Sequence, residues 1–251
     1  LCRHIEIWYC ENDPDYDASH ATVRTILMHE MMHTLEIVGS SIFRSHHGNP
    51  SGNPLTTIVN TIFTSVLLRM AYLDLVPANH SDPEEIVGVM TGSLAGFSRN
   101  VLAYTYGDDH ICAVHPRIES KFNSLTFGNW LKAHDIGYTP AHKNEQLSAT
   151  NKPIDELMFL SCSTVQSNLF PETPNMPYVD MGSLSKCVKF VRGEGDPYGA
   201  IIRNMDDSLG RVWSSGRSRF EFVRNDFIRS LEAANVPVPR LYSFDDGMYR
   251  W

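Results

Sequence analysis

Apolar and polar positions recur with two different periods along the chain, and these periods predict a mixture of strands and helices. Short runs rich in β-branched and aromatic residues predict strands at 5–10, on both sides of Gly107 and at 157–163. Apolar residues at helical spacing predict an amphipathic helix from about 20 to 38, and Gly39 is placed to cap its end. This part of the chain is therefore expected to be α+β.

A long apolar segment, 55–75, predicts a helix that is buried in a protein core. A membrane-spanning helix needs about 20 predominantly apolar residues, but Asn60, Arg69 and Asp74 interrupt this segment. The sequence therefore favours a core helix over a membrane span. A second helix is expected at 82–96.

Only helices are predicted in the last part of the chain. The proline-rich run 171–177 marks a boundary or a rigid excursion between structured segments. Before this run, apolar residues predict a helix within 118–131, which Gly137 closes. Beyond it, helices are predicted near 183–191, 200–214 and 217–234.

Composition narrows the class of protein. Of the 251 residues, 42% are hydrophobic, which is ordinary for a chain that buries a core. The five cysteines contain no Cys-x-x-Cys pair, which argues against a disulfide framework or a zinc ribbon. The formal net charge of −8 weighs against a general polyanion-binding surface. Seven arginines between 192 and 229 still allow a local basic face.

Two adjacent aspartates, Asp108 and Asp109, follow Gly107 at the turn between two predicted strands. Mg²⁺ and Mn²⁺ prefer hard oxygen ligands and usually bind through one or two carboxylates together with substrate phosphates. The turn is therefore a candidate metal site, and an ordinary polar turn is the alternative interpretation.

The segments around this turn form an ordered series that resembles the RNA-dependent RNA polymerases of picornavirus-like positive-strand RNA viruses, including dicistroviruses, iflaviruses and marine picorna-like viruses. The run 50–60, with Ser51, Gly52, Thr56 and Asn60, resembles motif B of that family. The run Tyr106-Gly107-Asp108-Asp109 resembles motif C. Weaker similarities place the end of motif A at 16–19, the end of motif D at 137–143 and motif E at 159–161.

The resemblance implies an α+β polymerase fold in partial form. A palm, an RRM-like antiparallel sheet backed by helices, is expected at 1–165, and a mainly helical thumb at 166–251. The chain begins at Leu1 without a methionine, so we expect part of a longer polyprotein with the fingers largely absent. We expect little or no polymerisation by this chain alone.

The implied function is template-directed RNA synthesis in viral genome replication, by transfer of a nucleotidyl group from an NTP to an RNA 3′-hydroxyl. The family uses a two-metal mechanism with Mg²⁺ or Mn²⁺. The implied partners are an RNA template and primer, NTPs and other viral replication proteins, with no transmembrane segment in this chain. The implied location is the host cell cytoplasm, at membrane-associated replication complexes.

The resemblance also assigns roles to individual residues. Asp108 and Asp109 are the expected metal ligands and catalytic carboxylates. Lys143 matches the motif D lysine, the expected general acid for the pyrophosphate leaving group, with an ordinary surface lysine as the alternative. The residues expected around the incoming ribose, where polar groups can recognise its 2′-OH, are Asp17, Ser51, Gly52, Thr56 and Asn60.

The sequence departs from the family pattern in motif A, in a shortened interval between motifs A and B, and after motif C. The family has a metal-binding aspartate five residues before the position of Asp17, and this chain has Asn12 there. A one-residue shift lets Asp13 or Asp15 substitute, and Asp13 is our choice as a catalytic metal ligand. His110 also replaces the residue usually found after the two aspartates. A catalytically impaired remnant that binds RNA or partners is therefore an alternative.

A competing enzyme class comes from His29-Glu30-x-x-His33 on the predicted helix, which matches the zinc-protease signature. The extended form of that signature fails, because Glu36 and Gly39 stand where glycine and histidine are required. The chain has eleven histidines, so a chance match is unsurprising. We therefore rank the protease well below the polymerase.

Overall fold

A computed structural model shows how far these elements form, and it divides the chain into two compact units. The first unit comprises Leu1–Tyr138 with Leu147–Thr150, and the second comprises Thr139–Gln146 with Asn151–Trp251. The structure describes residues 2–44, 55–76, 94–141, 145–166, 175–189 and 195–247.

The first unit opens with a pair of helices, α1 (Cys2–Asn12) and α2 (Ser19–Met32). The prediction of a strand at 5–10 is therefore wrong. Arg24 of α2 donates two hydrogen bonds to the Glu6 carboxylate, from Nε at 2.8 Å and Nη2 at 2.7 Å. The Tyr16 hydroxyl donates a third at 3.1 Å. These bonds hold α1 against α2, and the Arg24 bond lowers the pKa of Glu6.

Helix α2 ends at Met32, six residues before the predicted end. The Thr34 hydroxyl bonds to the carbonyls of Glu30 and Met31, both at 3.0 Å, and so takes up backbone groups at the helix end. The chain then forms an antiparallel hairpin of β1 (Leu35–Val38) and β2 (Ser41–Arg44). Gly39, with φ +61°, lies in the hairpin turn, so its predicted role as a helix cap is wrong.

The core of the first unit is built on α3 (Thr56–Leu75), which confirms the predicted long helix, but only one side of this helix is buried. Its Leu68, Ala71 and Tyr72 pack with aromatic residues that follow it in the chain. By length and composition α3 is apolar enough to cross a membrane, a test that core helices of soluble proteins also pass. The elements that complete this core are α4 (Ala95–Asn100), β3 (Val101–Tyr106), β4 (Asp109–Val114) and α5 (Ser124–Ala133).

Two of the predicted helices differ from those observed. Most of the helix expected at 82–96 lies outside the described residues, and α4 begins only at Ala95. The helix predicted within 118–131 starts at Ser124, because Asn123 and Thr126 form a reciprocal capping box there. It ends at Ala133, and the left-handed residue after it is Asp135, not the predicted Gly137.

The strands of the second unit are β5 (Cys162–Gln166) and β6 (Asn175–Val179), which form an antiparallel hairpin. The strand predicted at 157–163 is displaced, because Leu160 and Ser161 have positive φ and form a turn that leads into β5. Helices α6 (Met181–Lys189), α7 (Pro197–Trp213), α8 (Arg217–Ala233) and α9 (Phe244–Gly247) follow. The three long helices predicted here are confirmed, and Leu209, Trp213 and Phe220 lie at the centre of this core.

Gly247 of α9 lies directly on the ring of Trp213, whose Nε1 donates to the Phe244 carbonyl at 2.8 Å. A Cβ at Gly247 would overlap that ring. We expect Gly247→Ala to lower the free energy of unfolding by about 1–3 kcal/mol, the usual cost of overpacking. Urea denaturation of the chain measures the difference.

Gly210 of α7 is the matched control for this substitution, because nothing lies within 4 Å of a Cβ built there. Gly210→Ala in the helix interior should raise stability by about 0.5–1 kcal/mol. Equal effects of the two substitutions would contradict the close packing of α9 on Trp213.

Candidate active site

The two candidate aspartates lie at the tip of the β3–β4 hairpin, as the sequence predicts. Tyr106 pairs with Asp109, so Gly107 and Asp108 are the two central residues of the turn. Gly107 has φ +65°, which matches the type II′ turn that places glycine first. Gly107 is buried, whereas the side chains of Asp108 and Asp109 are exposed. The turn thus presents two neighbouring carboxylates to solvent.

Helix α3 contacts this turn through hydroxyl groups. The Gly107 N–H donates to Thr61 Oγ1 at 2.7 Å, and Thr64 Oγ1 donates to the Gly107 carbonyl at 2.9 Å. The hydroxyls of Ser65 and Thr105 bond to each other at 3.0 Å. Sequence reasoning missed these contacts. The available signal was a row of hydroxyl residues on one face of an otherwise apolar helix.

A buried polar network anchors the other end of the hairpin. Asn100 Nδ2 donates to the Tyr72 hydroxyl at 2.8 Å, and Arg117 Nε donates to Asn100 Oδ1 at 2.7 Å. The Asn100 carbonyl also accepts from the His115 N–H at 2.8 Å. The hairpin is therefore tied to α3 at both ends.

His110 follows the two aspartates and packs into the aromatic part of the core. Its ring lies 5.5 Å from Phe127 in an edge arrangement and 5.6 Å from Tyr138 in a stacked one. Its Nε2 lies 3.3 Å from the Tyr138 hydroxyl. Burial lowers the pKa of His110, and burial raises the pKa of Cys112 on the same strand to about 12. His110, which differs from the residue usual in the family, therefore packs against the aromatic residues of the core.

The predicted ribose-binding residues are only partly described. Thr56 and Asn60 are half-buried and lie one turn apart at the start of α3, on one face of the helix. Ser51 and Gly52 lie outside the described residues, and so does Lys143. Asp17 precedes α2, where its Oδ1 accepts the Ser19 N–H at 2.8 Å, and hydrogen bonds from Ser19 lower its pKa.

The third predicted metal ligand is not beside the other two. Asp13 follows helix α1, and its Oδ1 accepts the Asp15 N–H at 3.0 Å in a local turn. Within the described residues, no group of three or more His, Cys, Asp or Glu side chains could hold a metal ion. The hard oxygens of Asp108 and Asp109 fit Mg²⁺, which commonly takes one or two carboxylates. The structure does not gather Asp13 with them.

The zinc-protease signature covers the end of α2, and its His33 is the residue directly after the helix. The rings of His29 and His33 are 4.3 Å apart. A zinc protease needs a third protein ligand, and the described part of the chain contains no such cluster. The described residues therefore do not supply the third ligand that a zinc protease requires.

Comparison with known proteins identifies the family. The sequence profile described as "Viral RNA-dependent RNA polymerase" matches residues 8–174, about two thirds of the chain. The chain belongs to this polymerase family. The matched region contains the turn with Asp108 and Asp109, the whole of α3 and the β5 strand.

Relatives of this viral polymerase chain are found within polyproteins of picorna-like viruses. The genome polyprotein of rice tungro spherical virus (strain A) is 25% identical over 98% of the chain, and the RNA1 polyprotein of raspberry ringspot virus is 31% identical over 74%. The replicase polyprotein of cricket paralysis virus is 24% identical over 78%. The chain spans 7–10% of the lengths of these polyproteins.

A solved structure confirms the predicted fold class. The Sicinivirus 3Dpol RNA-dependent RNA polymerase superposes with a TM-score of 0.65 over 92% of the chain, at 17% sequence identity. The chain covers 43% of that polymerase. The mixed helices and small antiparallel sheets therefore belong to a viral polymerase fold in partial form.

Proposed function

We propose that this chain carries the palm active site of a template-directed RNA polymerase that replicates a viral RNA genome. The observation that carries the proposal is the exposed Asp108–Asp109 pair, held at a buried glycine turn in a chain of this family. The reaction transfers a nucleotidyl group from an NTP to the 3′-hydroxyl of a primer RNA.

Asp108 and Asp109 would hold Mg²⁺ or Mn²⁺, with Asp13 proposed as a further ligand. When bound, such ions stabilise charge on the attacking and leaving oxygens of a phosphoryl transfer. Lys143 is proposed to donate a proton to the leaving pyrophosphate. The residues proposed to bind the ribose and its 2′-OH are Asp17, Ser51, Gly52, Thr56 and Asn60.

The proposed partners are an RNA template and primer, NTPs and other viral replication proteins, at membrane-associated complexes in the host cytoplasm. The local basic face that the arginines allow is smaller than their number suggests. Arg217 pairs with Asp245, Arg229 with Asp226, and Arg219 donates to the Val179 carbonyl at 2.6 Å. Arg203 and Arg211 of α7 are exposed and are the better candidates for contacts with RNA phosphates.

The second candidate function is an impaired polymerase that binds RNA or partners without extending a primer. Two observations favour it: Asn12 stands where the family has an aspartate, and Asp13 lies apart from the Asp108–Asp109 pair. An amide brings no charge to a metal site, so Asn12 would be a poorer ligand than a carboxylate.

Primer extension on defined templates separates the two candidates. Because the chain covers 43% of the solved relative, the assay uses the chain extended to the length of a complete polymerase. With Mg²⁺ or Mn²⁺, a poly(A) template and an oligo(U) primer, we expect incorporation of UMP and not of CMP. Binding of the primed template without any incorporation would support the impaired polymerase.

A further inference from the structure

The two threonine hydroxyls of α3 bond to both sides of a single residue of the turn. Gly107 donates through its N–H to Thr61 and accepts through its carbonyl from Thr64. These two backbone groups belong to the peptide groups before and after Gly107. The orientation of these two peptide groups determines the direction in which the Asp108 side chain projects.

The hairpin itself does not supply partners for these groups. Residue pairing stops at Tyr106 and Asp109, so the N–H and carbonyl of Gly107 lie outside the ladder. Gly107 is buried, and buried backbone groups are nearly always paired. The hydroxyls of Thr61 and Thr64 meet this requirement, since one accepts from the Gly107 N–H and the other donates to its carbonyl.

The hydroxyls are themselves held in place. Thr61 Oγ1 donates its own hydrogen to the Thr57 carbonyl at 2.7 Å, which leaves its lone pair free to accept from Gly107. Thr64 is 8% exposed, so solvent competes little for its bond. Both side chains are β-branched and have few rotamers in a helix. Their oxygens are therefore fixed relative to the α3 backbone.

We propose that Thr61 and Thr64 are positioning residues that fix the Gly107 peptides and thereby aim the Asp108 carboxylate. This inference rests on the proposed polymerase function. Neither threonine is assigned a contact with substrate, so their effect acts through Gly107. A displacement of about 1 Å at a reacting centre lowers a rate by roughly a hundredfold.

The test compares Thr64→Val, which keeps the shape but removes the hydroxyl, with Thr64→Ser, which keeps the hydroxyl. In the extended polymerase we expect Thr64→Val to lower kcat about tenfold or more with little change in the KM for NTP. Thr64→Ser should restore most of the turnover. Thr61→Val and Thr61→Ser form a second pair with the same expected pattern.

Amide hydrogen exchange on the 251-residue chain gives a readout that does not depend on activity. We expect exchange at Gly107 to rise in Thr61→Val, which removes the acceptor of its N–H, and to stay slow in Thr61→Ser. Ser208→Ala is the control, because it removes a buried helical hydroxyl that bonds to the Asn204 carbonyl at 2.7 Å in the second unit. This control should change neither Gly107 exchange nor kcat.

Several outcomes would overturn the inference. An unchanged kcat in both valine variants, a change in KM alone, or a failure of serine to restore turnover would each do so. If exchange at Gly107 is faster but turnover is unchanged, the threonine bonds stabilise the turn without affecting catalysis. This result would also contradict the proposal. Failure of the proposed function is seen separately, as no templated incorporation by the unsubstituted polymerase.

Discussion

Replacing Asp108 with asparagine is expected to lower nucleotide incorporation by roughly a thousandfold, since metal-assisted charge stabilisation supplies several kcal/mol to such reactions. Asparagine has almost the same shape and keeps one oxygen, but it brings no negative charge to a divalent cation. Primer extension by the extended polymerase, with kcat measured at saturating NTP, gives the size of the loss.

The position of Asp108 makes this substitution informative. Its side chain is exposed at a turn whose buried residue is Gly107, so removal of the charge should leave the thermal unfolding midpoint nearly unchanged. Asp207→Asn is the matched control, because it removes an exposed carboxylate from α7 in the second unit. Activity of Asp108→Asn close to that of Asp207→Asn would rule out the assignment of the metal site.

Replacing Asn100 with leucine is expected to lower the free energy of unfolding by about 2–4 kcal/mol. Asn100 is 3% exposed, and its side chain bonds both to the Tyr72 hydroxyl and to the Arg117 guanidinium. A neutral hydrogen bond contributes about 0.5–1.5 kcal/mol and one to a charged group about 1.5–3 kcal/mol. Urea denaturation of the chain measures the loss.

Two further variants isolate the contribution of this network. Ser98→Leu places the same side chain on an exposed position of α4 and should change stability by less than about 0.5 kcal/mol. Tyr72→Phe removes only one hydroxyl, and in a double-mutant cycle with Asn100→Leu the two effects should fall short of additivity. Strictly additive effects would show that Asn100 and Tyr72 do not interact.

The parts of the fold that the sequence predicts well are those with a local cause. The turn at Gly107 is predictable because glycine adopts positive φ without strain. Helix α3 is predictable because its segment is long and apolar. The helices of the second unit follow from their apolar spacing, because one face of each is covered by the Leu209 and Trp213 core. The same reasoning placed Asp108 and Asp109 correctly at an exposed turn.

The errors arise from side-chain hydrogen bonds, both local and distant, that the spacing of apolar residues does not register. The run 5–10 is rich in apolar residues like a strand, but it forms a helix in which Glu6 bonds to Arg24, eighteen residues away. Thr34 ends α2 through its own hydroxyl, which the apolar spacing does not register. The bonds of Thr61 and Thr64 to Gly107 span more than forty residues, so the row of hydroxyl residues on α3 indicates a polar contact but does not identify Gly107 as the partner.

The conformation of Gly107 also has a consequence for how the site is encoded. A Cβ built on Gly107 meets nothing within 4 Å, yet its φ of +65° disfavours L-residues. Position 107 therefore requires glycine because of the sign of its φ angle, and not because a side chain would lack space there. Glycine is the only achiral residue that translation supplies, so the direction of the Asp108 and Asp109 carboxylates depends on the one residue type that has no side chain.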